Sequence, residues 1–280
     1  MTARWIRLIS TLLPLAVATA GPVAAQPVPP VLAPSESGPA FADLADMAVA
    51  APIVAGVQIR TTIKLKGPDA VGVAPGDTRL FIEADVVTLL RGQGGLPTAI
   101  RYLADVRNDA RGRVPKLKGS RMLLLARPVA GRPGELQLVA HGAQLAWTPA
   151  TEQRLRTLLT ALVAPDAPPR ITGISGAFHV PGSLPGESET QIFLTTASAK
   201  PVSLSILRRP GEQPRWAVSL SDIVDETAAT PARETLLWYR LACALPPALP
   251  EAATAALAPE DNAAARADYA VVIAGLGPCR

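Results

Sequence analysis

The feature that most constrains the fold of this chain is a regular alternation of side-chain types that begins after Pro52. Every second position is apolar or threonine, and most of the intervening positions are polar or small. A period of two over this length predicts one long, half-buried β-strand, which the Gly-Pro-Asp sequence at residues 67–69 ends. The residues expected on its buried face are Ile53, Ala55, Val57, Ile59, Thr61, Ile63 and Leu65.

Four further segments of the first half have strand character, and a helix follows them. Thr148-Pro149 is a typical helix start, with threonine as the N-cap, and leucines then recur at helical spacing. Residues 41–50 are predicted either to form a short helical turn or to lead directly into the first strand. Five strands and a docking helix therefore predict a first domain over residues 41–165. The four strand segments are residues 79–91, 99–107, 121–129 and 135–140.

The second half predicts a smaller α+β domain over residues 170–280. Proline- and glycine-rich turns separate its four strand candidates, and helices are predicted at residues 234–245 and 259–274, the last capped by Gly275 or Gly277. The expected fold class is mainly β with a few helices: an OB-like five-stranded barrel with a docking helix, then the α+β domain. The strand candidates are residues 171–180, 190–196, 202–207 and 215–220.

Three short motifs in residues 45–140 resemble those of netrin-module and TIMP-like OB-type barrel domains. Such domains open with an Ala-Asp-x-Val-like strand, continue with a strand ending in Leu-Lys-Gly, and carry a later Gly-x-Arg/Tyr-Leu-Leu strand. The resemblance implies a five-stranded barrel. It implies no inhibitory activity, because this region contains no cysteine to match the family's zinc-engaging N-terminal cysteine. The matching segments are Ala45-Asp46-Met47-Ala48, Val87-Thr88-Leu89-Leu90-Arg91-Gly92 and Gly119-Ser120-Arg121-Met122-Leu123-Leu124-Leu125.

The N-terminus has the pattern of a secretory signal peptide. Arg4 and Arg7 precede an apolar run that is too short to span a bilayer, and small residues stand before a cleavage site after Ala25. Residues 1–25 are therefore predicted to be removed, and the Pro-, Ser- and Gly-rich residues 26–40 to form an extended linker. The absence of a cysteine after the apolar run argues against a lipoprotein anchor. We expect a periplasmic or secreted protein with no transmembrane segment in the mature chain.

The two cysteines, Cys243 and Cys279, are expected to form a disulfide in an exported protein. Two unpaired thiols, one of them buried in a helix, are the alternative. A metal site is not expected, because His141 and His179 are the only histidines and neither is near a cysteine in the sequence. No cofactor is expected.

The distribution of charge argues against a nucleic-acid partner. The formal charge of +4 includes the two signal-peptide arginines, and no basic stripe with interleaved aromatic residues is present. One basic loop could attract an anionic partner such as lipid headgroups or a polyanion, although Asp105 and Asp109 dilute it. Loop charges are usually just solvated, and that is the expectation here. The basic residues are Arg107, Arg111, Arg113, Lys116 and Lys118.

Candidate catalytic groups do not assemble into a recognisable motif. Ser175 and His179 are four residues apart in one predicted strand, so they should share a face about 13 Å apart, too far for proton transfer. The Gly-rich residues 92–95 predict a hairpin turn, since no phosphate-loop spacing or following helix is present. The acidic groups at residues 187–191 and 222–226 lack the ligand spacing of a calcium loop. Trp238 and Tyr239 are expected to anchor a helix to a sheet.

The leading functional hypothesis is an exported, soluble, non-enzymatic interaction or structural module, with another envelope protein as the possible partner. Two alternatives stay open: a hydrolase whose carboxylates or serines assemble in three dimensions, and a barrel that binds a small ligand. A deep cleft lined by two convergent carboxylates would favour the enzyme. A flat apolar patch would favour the interaction module. The sequence does not indicate an oligomeric state.

Overall fold

A computed structural model describes residues 38–220 and 229–280 of the chain. The predicted signal peptide and most of the predicted linker lie outside the described residues. Strands make up 36% of the structure and helices 25%, and the architecture is a closed five-stranded barrel, a second sheet and four helices. The predicted fold class is therefore confirmed.

The barrel is preceded by a helix and followed by another. Helix α1 is Phe41–Ala50, which selects the helical alternative for this segment, and α2 is Pro149–Val163. The hydroxyl of Thr148 accepts a hydrogen bond from the N–H of Thr151, as expected of an N-cap. The strands are β1 (Ile53–Lys64), β2 (Asp77–Arg91), β3 (Ala99–Arg107), β4 (Arg121–Pro128), β5 (Glu135–Leu138) and a short β6 (Gln144–Ala146), which was not predicted.

The barrel closes because β1 pairs with both β2 and β4. The order around it is β1-β2-β3-β5-β4, all neighbours being antiparallel except β3 and β5, which are parallel. Inward-facing side chains fill its interior as one apolar cluster, as expected of a small barrel. The members of that cluster are Ile53, Ala55, Val57, Ile59, Leu80, Ile82, Ala84, Ile100, Tyr102, Ala104, Met122, Leu124, Ala126 and Leu136.

Strand β1 departs from the predicted alternation in two places. Val54 and Gly56, on the face predicted to be exposed, are buried, and Val54 belongs to the hydrophobic cluster outside the barrel. A register shift between Ile59 and Thr61 then changes which face is buried, so Thr61 and Ile63 are exposed although they were predicted to face inward. A bulge adds one residue and so reverses the phase of a two-residue pattern.

The second half forms a four-stranded antiparallel sheet with α4 packed on one face and α3 packed against α4. The strands follow the order β10-β9-β8-β7, and the last helix ends at Gly277, which has the positive φ of a glycine cap. The elements are β7 (Ile171–Pro181), β8 (Ser188–Thr196), β9 (Val202–Arg208), β10 (Arg215–Ser219), α3 (Leu236–Ala242) and α4 (Pro259–Leu276).

A second hydrophobic cluster contains residues from both sides of the predicted domain boundary. It includes Leu44 of α1, Leu125 of β4, Leu155 of α2, Ile192 of β8 and Tyr269 of α4. The division into domains 41–165 and 170–280 stays a prediction, which limited proteolysis can test. None of the helices in the described residues combines the length and the apolar character that crossing a membrane requires.

Candidate functional site

The C-terminal half of strand β3 has a free edge. Strand β5 pairs with β3 only through Arg101 and Tyr102, so within the described residues Leu103–Arg107 has no strand partner on that side. The N–H of Arg101 donates to the carbonyl of Gly134, which marks this edge. Because backbone groups of alternate residues point to the same edge of a strand, the N–H and C=O groups of Asp105 and Arg107 also point to it.

A cleft of about 590 Å³ lies along this edge. The free half of β3 forms one wall, and the segment that connects β5 to β6 forms much of the other. The cleft therefore combines unpaired main chain with polar side chains. Its lining residues are Arg79, Leu103, Ala104, Asp105, Val106, Arg107, Gln137, Leu138, Ala140, His141, Gly142 and Gln144.

One end of the cleft is closed by a cluster built on a buried carboxylate. The side chain of Asp77 is only 1% exposed, and its Oδ2 lies 3.0 Å from Nε2 of His141. Its Oδ1 lies 3.1 Å from Nη1 of Arg107 but accepts no hydrogen bond of good geometry, because Nη1 donates to the carbonyl of Pro75. Arg107 and His141 are themselves 71% and 64% exposed, so Asp77 holds two solvent-facing nitrogen-bearing groups at the end of the β3 edge.

A second ion pair runs along the cleft wall. Arg79 donates to both carboxylate oxygens of Asp105, through Nε at 2.7 Å and Nη2 at 2.9 Å. The hydrogen bond from Arg79 is the main reason that the pKa of Asp105 is lowered, with smaller contributions from the charges of Arg79 and His141. The same pairing raises the pKa of Arg79. Both side chains are therefore ionised at neutral pH.

A smaller cleft, of about 460 Å³, continues the groove past Leu103 and Gln137, which line both clefts. Phe81 and Leu136 give it an apolar floor, and Arg132 lies at its rim. Leu103 is 46% exposed between the two clefts. The outer side of β3 thus carries a continuous groove with an apolar centre and a cationic end.

This arrangement offers groups that can bind a ligand. Arg79 holds Asp105 ionised, so Asp105 does not carry the proton that a general acid needs near neutral pH. The unpaired edge of β3 can bond to an extended backbone, and Arg107 can bond to an acidic group. The sequence indicated neither carboxylate as part of a site, and His141 was interpreted only as a residue at a strand end.

The other histidine belongs to a separate, buried polar cluster. His179 Nδ1 lies 2.8 Å from the hydroxyl of Thr190, and that hydroxyl donates to Asp268 of α4. Arg208 of β9 pairs with the other oxygen of Asp268, whose side chain has no solvent exposure. Thr190 is fully buried as well, so this cluster joins α4 to the sheet and offers no accessible nucleophile.

Ser175 and His179 do not share a face, which corrects the expectation from their spacing. A register shift between Ile174 and Gly176 interrupts the alternation of β7. Ser175 is exposed and donates to the carbonyl of Phe193, while His179 is largely buried toward α4. A bulge again explains the difference.

The remaining sequence candidates fall at scattered positions. The Gly-rich residues 92–95 lie in the connection between β2 and β3, and Glu187 lies in the turn between β7 and β8. The acidic residues at 222–226 lie outside the described residues. Trp238 and Tyr239 are buried in α3, where Trp238 donates to the carbonyl of Leu276. In the described part of the chain, no group of three or more His, Cys, Asp or Glu side chains is placed to hold a metal ion.

The structure places Cys243 and Cys279 at disulfide distance, as predicted. Their Cα atoms are 5.0 Å apart, which is within the usual range for a disulfide. Cys243 follows α3 and Cys279 follows the Gly277 cap of α4, so the bond joins the C-terminal ends of two neighbouring helices.

The face of the second sheet opposite α4 carries four exposed apolar side chains. Phe178 and Phe193 lie on neighbouring strands with nearly parallel rings whose centroids are 6.4 Å apart. Val180 and Leu207 lie on the same face, on β7 and β9. Together these four side chains form an exposed apolar patch on the sheet.

Comparison of the chain with protein-family models finds no match, and comparison with curated protein sequences finds no significant similarity. The likeness of residues 45–140 to netrin-module domains therefore remains a resemblance. One of its motifs differs from expectation in structure, since Ala45-Asp46-Met47-Ala48, matched to a strand, lies in helix α1.

Proposed function

We propose that the protein is an exported, non-enzymatic binding module that takes up an extended segment of another envelope protein by strand addition to the free edge of β3. The observation that carries the proposal is the unpaired half-strand Leu103–Arg107, which opens into the largest cleft described above. An edge of this kind binds an incoming strand through its main chain, and neighbouring pockets select the side chains.

The dimensions of the edge define the length of the ligand. Five residues of β-strand span about 16 Å, so the incoming segment should have about five residues in extended conformation. Exposed Leu103 favours an apolar ligand side chain at the centre of the groove. Arg107 favours an acidic side chain at its end.

The predicted location agrees with this role. The signal sequence predicts export, and a disulfide is the bond expected to persist in the periplasm or outside the cell. The protein recovered from envelope or medium should begin at Gln26, which N-terminal sequencing can test. A cytoplasmic species that retains Met1 would overturn the export part of the proposal.

The hydrolase alternative has less support. It needs a carboxylate or serine that can exchange a proton in a cleft, and the cleft along the β3 edge offers Asp105, which is held in a two-point pair with Arg79. The small-ligand alternative would have to use the outer grooves, because apolar side chains fill the barrel interior.

The first test distinguishes main-chain from side-chain recognition. Peptides are selected from a random display library on the immobilised protein, and the best one is synthesised in two forms with N-methyl groups on alternate residues. Strand addition uses only one edge of the peptide, so one form should lose about tenfold or more in affinity while the other binds like the parent. Equal binding by both forms, or no enrichment over the bare support, would refute strand addition.

A second test addresses the cationic end of the groove. Arg107→Gln should weaken binding of a glutamate-containing peptide by about tenfold, as expected for the loss of a charge-assisted hydrogen bond. Binding of the same peptide with glutamine in place of glutamate should be nearly unaffected. Arg209→Gln is the matched control, since Arg209 is exposed directly after β9 and lines neither cleft of the groove. Equal losses for both peptides would show that Arg107 acts on the fold and not on the ligand.

A further inference from the structure

One end of the barrel is formed by two basic loops that lie side by side. The first joins β1 to β2 and the second joins β3 to β4. The N–H of Asn108 in the second loop donates to the carbonyl of Gly76 in the first, and Gly119 at the end of the second loop donates to Ile59 of β1. Residues 64–76 and 108–118 therefore form one surface.

The charge of the chain is concentrated on this surface. The two segments contain six lysines or arginines and two aspartates, a formal charge of +4, which equals that of the whole chain. One of the aspartates, Asp109, is engaged by Arg113 and by two backbone amides of its own loop. Within the described residues, the other five cations have no carboxylate within ion-pair distance; they are Lys64, Lys66, Arg111, Lys116 and Lys118.

The first of these loops also carries an exposed apolar side chain. Val71 is 75% exposed, the highest value among the large apolar residues of the described chain. Its backbone is held in place, because Nη1 of Arg79 donates to the carbonyl of Val71 and the N–H of Val71 contacts the carbonyl of Pro68. The fold thus presents an apolar side chain to solvent on a hydrogen-bonded loop that belongs to the same surface as the free cations.

We propose that this end of the barrel docks on the surface of an anionic phospholipid bilayer. The four free lysines and Arg111 would lie against the headgroups, and Val71 would enter the boundary between headgroups and acyl chains. Charge complementarity identifies an anionic ligand. The exposed valine favours a bilayer over a soluble polyanion, because only a bilayer offers an apolar phase behind its charged surface. The proposal is independent of the peptide groove.

The test is co-sedimentation of the full mature protein with phosphatidylcholine vesicles, either pure or containing phosphatidylglycerol. Binding should require phosphatidylglycerol and weaken as salt is added. The variant Lys116→Gln/Lys118→Gln should lower the partition coefficient by about 25-fold, at about fivefold for each charge removed. The matched control Arg127→Gln/Lys200→Gln removes the same charge from exposed positions outside the two loops and should have an effect of about twofold or less.

A further variant separates the bilayer from other anionic ligands. Val71→Ser keeps every charge and should lower vesicle binding by about fivefold or more, with no effect on binding to soluble heparin. Absence of binding to phosphatidylglycerol vesicles would overturn the proposal. So would equal effects of the test and control pairs, or a Val71→Ser variant that binds vesicles like the parent, since that result would indicate a general polyanion surface.

Discussion

Removal of the Cys243–Cys279 disulfide should lower the stability of the protein substantially. The bond closes a loop of 36 positions. In the chain-entropy account this constraint on the unfolded chain corresponds to about 4 kcal/mol at room temperature. We expect the Cys243→Ser/Cys279→Ser variant to lose about this amount in the free energy of unfolding.

Most of the loss should come from the unfolded state, because other contacts continue to hold α4. Trp238 donates to the carbonyl of Leu276, Tyr269 donates to the carbonyl of Pro246, and Arg266 donates to the carbonyl of Leu249. The folded variant should therefore keep the native circular dichroism spectrum. The chain end after α4 should become more mobile without the disulfide, and this mobility should extend to α1. The reason is that Arg280, the residue after Cys279, binds Asp43 and Asp46 of that helix.

Urea unfolding of the parent and the double variant gives the difference in free energy, and hydrogen exchange locates the loosening. Exchange should increase in α1, α3 and α4, while the barrel residues around Ile82 and Leu124 stay protected. A loss below about 1 kcal/mol would refute the entropic argument. Two titratable thiols in the denatured protein, purified without reducing agent, would refute the disulfide itself.

Three further predictions concern buried ionisable groups. Because the pKa of Asp105 is lowered in the folded protein, its pair with Arg79 stabilises the fold at pH values above the ordinary carboxyl pKa, and this stability is lost as the pH falls through the folded-state pKa. Asp105→Asn should therefore lower the free energy of unfolding by about 1–3 kcal/mol at neutral pH. It should also make that free energy less dependent on pH in the acid range, which urea unfolding at several pH values can measure. Asp268→Asn should lower the free energy of unfolding by about 3 kcal/mol, because it leaves the Arg208 guanidinium without its charged partner. In a double-mutant cycle with Arg208→Gln, the two losses should be strongly non-additive, and additive losses would show that the pair is not coupled. Burial raises the pKa of all three tyrosines, Tyr102, Tyr239 and Tyr269, and the hydrogen bond to Asp46 helps to raise that of Tyr239 to about 12. The free energy of unfolding should therefore fall as the pH rises above the ordinary tyrosine pKa. Near-ultraviolet titration should show no tyrosinate before unfolding, and ionisation of any one tyrosine in the folded protein would contradict its packing.

The elements of the fold could be predicted because their signals are local. The alternation from Ile53 onward, the Thr148 N-cap and the leucine spacing of α2 each depend on residues within a few positions of one another. The prediction failed where the phase of a strand changed, at the bulges after Ile59 and Ile174, because a bulge leaves no consistent mark in composition. It also missed the burial of Val54, which depends on what packs outside the barrel.

The candidate sites could not be predicted in the same way, because their members are distant in sequence. Asp77 meets His141 across 64 positions, and Thr190 meets Asp268 across 78. One signal was available: Asp268 lies in the apolar stripe of α4, between Ala265 and Val272, where a charge is buried. A buried charge needs a partner, so this position alone predicts a cation or hydroxyl on the facing sheet.

The groove beside β3 and the basic barrel end meet at the C-terminus of β3, and this junction determines how the two proposed functions can be separated. Arg107 closes the groove, and the next residue, Asn108, begins the basic loop and bonds to Gly76 of the neighbouring loop. Arg107 belongs to the groove but adjoins the basic loops, so a variant at Arg107 can change membrane docking as well as peptide binding and does not separate the two. Lys116 and Lys118 lie in the basic loop outside the groove lining, and Leu103 lies in the groove outside the basic loops. A bilayer bound at the barrel end would therefore leave the groove open along its side, and peptide affinity should be the same for vesicle-bound and free protein. A peptide that releases the protein from vesicles would show instead that the two ligands compete for one surface.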